Sequence, residues 1–98
     1  MLEHAREAVK IAHGRSRQDL GNDRMFNLAE TRLLEIIGEA ARRVPIDYQL
    51  EHPEIPWSQI IGLRNRLIHG YDAIDFDILW AIIQNDMPQL IKQLEDIL

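Results

Sequence analysis

The chain has 98 residues, no cysteine, 46% hydrophobic and 28% charged residues, and a formal net charge of -5. This length suits one domain, 1–98, that buries roughly two-thirds of its unfolded surface. Without cysteine there is no disulfide framework, thiolate zinc site, iron–sulfur cluster or cysteine nucleophile. No apolar run reaches the roughly 18 residues of a membrane-spanning helix, and Met1-Leu2-Glu3-His4 lacks the basic and apolar regions of a signal peptide, so a cytoplasmic protein with no membrane contact is expected.

The charge is unevenly placed. Residues 1–66 carry nine arginines and Lys10 against ten acids, whereas the last 32 residues carry Lys92 against Asp72, Asp75, Asp77, Asp86, Glu95 and Asp96. A polyanion should therefore meet the arginine-bearing portion, and the acidic third should face solvent or a basic partner.

Pro and Gly separate segments of helical period, with no alternation of period two, so the expected class is all-α, an antiparallel four- to five-helix bundle. Leu2, Ala5, Val9 and Ala12 form a first stripe that Gly14 ends, followed by a polar connection from Ser16 to Asp23. A second helix from about Asn22 to Val44 sets Phe26, Ala29, Leu33, Ile36, Ile37, Ala40, Ala41 and Val44 on one arc, at about 100° per residue. Arg32, Glu35, Glu39, Arg42 and Arg43 lie opposite, a solvated face on which Glu39 precedes Arg43 by the spacing of a helical ion pair.

Pro45 stops that helix, and the loop to Pro56 has room for a short turn around Asp47 to Glu51. Pro56 suits a first turn, so a third helix should run from there to Gly70. From Asp75 a last stripe of Phe76, Leu79, Trp80, Ile83, Met87, Leu90, Ile91, Leu94, Ile97 and Leu98 keeps its phase across Pro88. This predicts two nearly collinear helices, the second capped by Asp86.

The third helix departs from its own pattern. With Trp57 central, Ile60, Ile61, Leu67, Ile68 and Tyr71 lie within about 60° of it, and so does Arg64. A guanidinium on an apolar face either buries its stem and pairs with Glu35 or Glu39, or it serves a reaction. Ser58, Gly62, Asn65 and His69 form a neighbouring line of small or polar residues, suited to a close helix contact within the bundle or across a two-fold axis.

Arg and His together, without a carboxylate cluster, suit metal-free chemistry on a phosphodiester. The imidazole moves a proton, and the guanidinium stabilises charge on the pentacoordinate phosphate. Asn65, four residues before His69, is placed to orient it. Arg64 and His69 are about 140° apart on an ideal helix, so either the last turn unwinds or two copies of the helix pool their residues. Arg66 points the other way and reads as a surface cation. His4, His13 and His52 share no metal-ligand spacing and read as surface or loop residues. Trp57 and Trp80 read as core, and Asp72, Asp75 and Asp77 as helix-capping acids.

The string Arg64-Asn65-Arg66-Leu67-Ile68-His69-Gly70-Tyr71 resembles the Arg-x4-His-x-Tyr motif of the HepT-like ribonuclease toxins in the HEPN superfamily. Leu34-Glu35-Ile36-Ile37-Gly38-Glu39-Ala40-Ala41, Pro53-Glu54-Ile55-Pro56-Trp57 and Ile60-Ile61-Gly62-Leu63-Arg64-Asn65 extend the resemblance over nearly the whole chain.

The resemblance implies a HEPN-like bundle that forms a homodimer through the motif helix, and a toxin of a type II-like toxin–antitoxin system. Arg64 and His69 would cleave RNA, either tRNA or mRNA, without metal or other cofactor, supported by Asn65. Tyr71 would be the site at which a minimal nucleotidyltransferase antitoxin attaches AMP, adding charge and bulk beside the cleft. A different reading of the same residues is a helical interaction module that binds a nucleotidyltransferase and has no catalysis of its own.

Overall fold

Alanines set the first contact. In α1 (Leu2–Ala12), Ala5, Ala8 and Ala12 are buried, and their small side chains let the helix lie close against the long helix of residues 24–42 and the C-terminal helix of residues 87–97. The computed structural model describes residues 1–69 and 73–98, and for His69 the backbone only.

Gly14, at φ +76°, takes the left-handed conformation that turns the chain out of α1. The polar stretch that follows is itself a short helix, α2 (Arg17–Asn22), whose Leu20 is buried and whose start is tied by the Ser16 amide donating to the Asp19 carboxylate at 2.7 Å. Asp23 then caps α3 (Arg24–Arg42), accepting the Phe26 amide at 3.1 Å.

Arg15 joins these pieces. Its guanidinium lies 2.8 Å from Asp23 and 3.5 Å from Asp19, and 4.2 Å from the centre of the Phe26 ring. The Arg15 bond is the main cause holding the Asp23 carboxyl below the ordinary carboxylate range, while for Asp19 it is the Ser16 amide.

The buried side of α3 is Phe26, Glu30, Leu33, Leu34, Ile37, Gly38 and Ala41. Relative to the expected arc, Ala29 lies outside and Glu30 inside. Packing of α1 and α2 against the same helix, in addition to the helical residues between 57 and 67, turns the inward side toward position 30. Glu30 is inaccessible to solvent, neither carboxylate oxygen has a hydrogen-bond partner, and burial, with Glu7 nearby, pushes its pKa up to about 8. The expected Glu39–Arg43 pair is replaced by a contact to Arg42 at 4.0 Å.

After Pro45 a full helix, α4 (Ile46–Glu51), forms where a turn was expected, and it buries none of its residues. The expected third helix is not continuous. It breaks at Gly62 into α5 (Trp57–Ile61) and α6 (Leu63–Leu67), and then becomes extended. The extended residues are β1 (Ile68–His69), paired antiparallel with β2 (Ala73–Ile74) in the register Ile68 to Ile74 and His69 to Ala73. This two-stranded ribbon corrects the expectation of no strand; strands of two residues are too short to show alternation.

From Phe76 the chain is helical to Ile97. α7 (Phe76–Ala81) is capped by Asp75, which accepts the amides of Asp77 and Ile78 at 3.0 and 3.1 Å. A π-helical turn (Ile82–Asp86) leads into α8 (Met87–Ile97). Asp86 has helical backbone angles and caps nothing, contrary to expectation, since the chain never leaves the helical region there. Its side chain instead accepts from Arg66 at 3.0 Å. The wider turn passes Pro88, which has no amide hydrogen to donate, without stopping the helix.

The core joins α1, α3, α5, α6 and the C-terminal helix through Leu34, Ile37, Trp57, Leu63, Leu67, Leu79, Ile82, Ile83, Met87 and Leu90. The result is an all-α fold measuring 41 × 30 × 16 Å, its thinnest dimension less than about two helix diameters. Among the described residues no helix is long and apolar enough to cross a membrane.

Candidate active site

The site is built where α5 and α6 lie against α3. A Cβ added at Gly38 would stand 3.0 Å from the Ile60 carbonyl oxygen and 3.6 Å from that of Ile61, so the two backbones meet here with no side chain between them. This contact sets the Gly62 break beside the last third of α3. Trp57 anchors the start of α5 from below: it is buried and its indole donates to the His52 carbonyl at 2.9 Å. Trp80 is half-buried against the core.

Along the α5–α6 segment the inward residues are Trp57, Ile60, Leu63 and Leu67. Leu63 thus takes the place in the core that the regular-helix reading put near Arg64. Arg64 and Asn65 are exposed, and Ile61 is 37% exposed. The guanidinium therefore neither sits in an apolar face nor pairs with Glu35 or Glu39, whose contacts are to Arg32 at 3.4 Å and Arg42 at 4.0 Å.

Instead, Arg64 and Asn65 stand on one wall of an open groove of about 890 Å³. Ser58, Gly62 and Ile61 continue that wall, and α3 supplies the other with Arg32, Glu35, Ile36, Glu39, Arg42 and Arg43. The line of small residues Ser58, Gly62 and Asn65 therefore borders a groove and is not packed within the bundle. The small residue that permits the close helix contact is Gly38.

Arg66 is half-exposed on the other side of α6, tied to Asp86, as its angular position suggested. His69 lies two residues past the last residue of α6, in the ribbon. The 140° helical offset between Arg64 and His69 does not apply, because the last turn unwinds after Leu67. The side chain of His69 and the whole of Gly70, Tyr71 and Asp72 lie outside the described residues.

The remaining candidates have structural work. His52 packs against Tyr48 with ring centres 4.5 Å apart and the rings tilted by 44°, and its Nδ1 is 3.3 Å from Glu54. Asp75 is a helix cap, and Asp77 holds Arg17 at 2.6 Å. Sequence reading missed Arg32, Arg42 and Arg43 as groove residues because exposed charges opposite an apolar arc look like any solvated face. Gly38, inside an otherwise regular helical stretch, was the available signal of a close approach.

The chain resembles known proteins over nearly its whole length. The family model described as ribonuclease HepT-like matches residues 1–97. A Methanocaldococcus jannaschii protein named as a candidate RNase is 38% identical over 95 residues, 97% of this chain and 87% of that one. A Caldanaerobacter subterraneus protein with the same kind of name is 35% identical over 98 residues, covering 100% and 88%. The probable ribonuclease HepT of Thermococcus cleftensis is 38% identical over 93 residues, covering 91% and 84%. No solved structure matches the chain. With a match from the first residue to the last but one, the chain belongs to the ribonuclease HepT-like family.

Proposed function

We propose that this protein is an endoribonuclease that cleaves RNA without a metal ion, using Arg64 and His69. The observation that carries this reading is the position of Arg64 and Asn65 on the wall of an open groove, five residues before a histidine whose backbone has left the helix. In the proposed reaction the imidazole of His69 takes the proton of a ribose 2′-hydroxyl. The 2′-oxygen attacks the adjacent phosphorus, and the bond to the 5′-oxygen breaks as that oxygen takes a proton from water, leaving a 2′,3′-cyclic phosphate and a 5′-hydroxyl. The Arg64 guanidinium stabilises the charge that accumulates on the phosphoryl oxygens, where a fork of donors fits best.

The same reading makes the protein the toxin of a toxin–antitoxin pair, acting as a homodimer in which both motif segments border one cleft. Neutralisation would come from a nucleotidyltransferase: the Tyr71 phenol gives up its proton to solvent, its oxygen attacks the α-phosphorus of ATP, pyrophosphate leaves, and the attached AMP puts a negative charge where the RNA phosphate must lie.

The test is cleavage of total cellular RNA by purified protein in excess chelator, beside His69→Ala, with intact mass recorded to show Tyr71 unmodified. Cleavage by the wild type that disappears in the variant supports the proposal. No cleavage by the unmodified wild type on any RNA fraction overturns it and leaves a helical module that binds a nucleotidyltransferase.

A further inference from the structure

The groove is longer than the pair Arg64 and Asn65 requires. Its α3 wall carries Arg32 near the middle of the helix and Arg42 and Arg43 at its end. Over eleven residues at about 1.5 Å each, these cations span about 16 Å. That is long enough for more than one phosphate of a bound strand.

Four arginines and two glutamates line the groove of a chain whose net charge is -5. The glutamates do little to neutralise the cations. Arg32 and Arg42 have side chains 71% and 73% exposed, and their glutamate contacts are long, 3.4 and 4.0 Å. Among the described residues Arg43 and Arg64 make no ion pair. Complementing the helix dipole accounts for a cation in the last turn of α3, but not for Arg32 in mid-helix on the same groove. Between the cations, Ile36 and Ile61 add apolar lining, one on each wall.

We propose that Arg32, Arg42 and Arg43 hold the phosphates of single-stranded RNA along α3 and so position the scissile bond at Arg64. This rests on the ribonuclease reading above and extends it from the reacting atoms to the track on either side. Phosphates lie on the arginines, while riboses and bases cover Ile36 and Ile61. The three α3 arginines are positioning residues: they act on the strand away from the reacting phosphorus, so their loss weakens binding more than turnover.

The experiment measures binding of a short fluorescein-labelled 2′-O-methyl RNA strand, which has no 2′-hydroxyl to react, by anisotropy across a salt series. In parallel, kcat and KM are measured on an unmodified strand. The variants are Arg32→Ala, the double variant Arg42→Ala/Arg43→Ala, its lysine counterpart Arg42→Lys/Arg43→Lys, and Arg6→Ala as a control, since Arg6 pairs with Glu95 away from the groove.

The double alanine variant should bind about tenfold or more weakly. Its slope of log affinity against log salt should fall by about 1.4, or about 0.7 per lost phosphate contact. KM should rise more than kcat falls, lysine should restore most of the salt slope, and Arg6→Ala should match the wild type.

If the wild type cleaves and binds RNA but the arginine variants keep its affinity and salt slope, the track is overturned while the ribonuclease reading stands. If the wild type neither binds nor cleaves RNA, both fall. If the variants change only self-association in sedimentation, with RNA affinity unaltered, a second copy fills the groove and the proposal is wrong.

Discussion

On the side of α3 that meets α1, Glu30 is shut away from water with no hydrogen-bond partner, whereas on the side that meets α5 and α6, Arg32, Arg42 and Arg43 stand in solvent around a groove. One helix thus carries a charge-bearing group where packing penalises it and others where the field remains available to a ligand. Burial neutralises the first: with its pKa near 8, Glu30 is mostly protonated at neutral pH and adds little to the charge of the fold. Exposure preserves the second. Charge counted along a sequence therefore overstates the acid on the packed side and understates what the groove can attract.

The largest effect that would sharpen this contrast is on the groove side. Arg64→Ala is expected to cut kcat/KM for RNA cleavage by about 10²–10³ with an unchanged melting temperature. Arg66→Ala, two residues away and on the opposite side of α6, should leave cleavage within a few-fold. Steady-state kinetics beside thermal melts checks both, and equal losses in the two variants would break the distinction between the walls of α6.

On the packed side, Glu30→Met should raise stability, and more so as pH rises. Folding raises the Glu30 pKa from an ordinary 4.5 to about 8, so the stability linked to its protonated form is fully present below 4.5 and lost as pH rises to about 8. The wild type should lose on the order of 1 kcal/mol per pH unit across that window, and the variant should flatten the decline. At the acid end the sign reverses: Asp19 and Asp23 have lowered pKa values, so the stability they add is lost as pH falls through them. Urea denaturation at a series of pH values separates the two limbs; an unchanged alkaline limb in Glu30→Met would mean that water reaches this carboxyl.

Between the two sides, Gly38→Val tests the backbone contact. The added methyl groups meet the carbonyl oxygens of Ile60 and Ile61, and overpacking of this kind costs about 1–3 kcal/mol. Because the same contact sets the width of the groove, cleavage should fall as well. A folded variant with full activity would show that α5 can shift without consequence. The smallest effect expected is the stability change in Arg66→Ala, at most about 1 kcal/mol, since its pair with Asp86 is partly exposed.

Much of this was legible beforehand because helical periodicity is a local property. Phe26, Leu33, Ile37 and Ala41 are in the core as their spacing predicted, as are Leu79, Ile83, Met87, Leu90 and Leu94. The motif string led to Arg64 and Asn65, which do border the groove. The errors share one cause: they assumed that each helix stays regular and meets neighbours on one side only. Gly62 interrupts the motif helix, the π-helical turn replaces an Asp86 cap, and α1 draws Glu30 inward.

The amino-acid sequence by itself determined the helical class, the punctuation at Gly14 and Pro45, and the spacing of Arg64 and His69. These depend on local backbone preferences and on residues near in the chain. Only the tertiary structure decided that Arg64 stands in a groove, that Arg32, Arg42 and Arg43 share it, and that Glu30 is buried. Each of those facts depends on which second helix packs against a given side, and exposure belongs to the pair of surfaces, not to either segment alone.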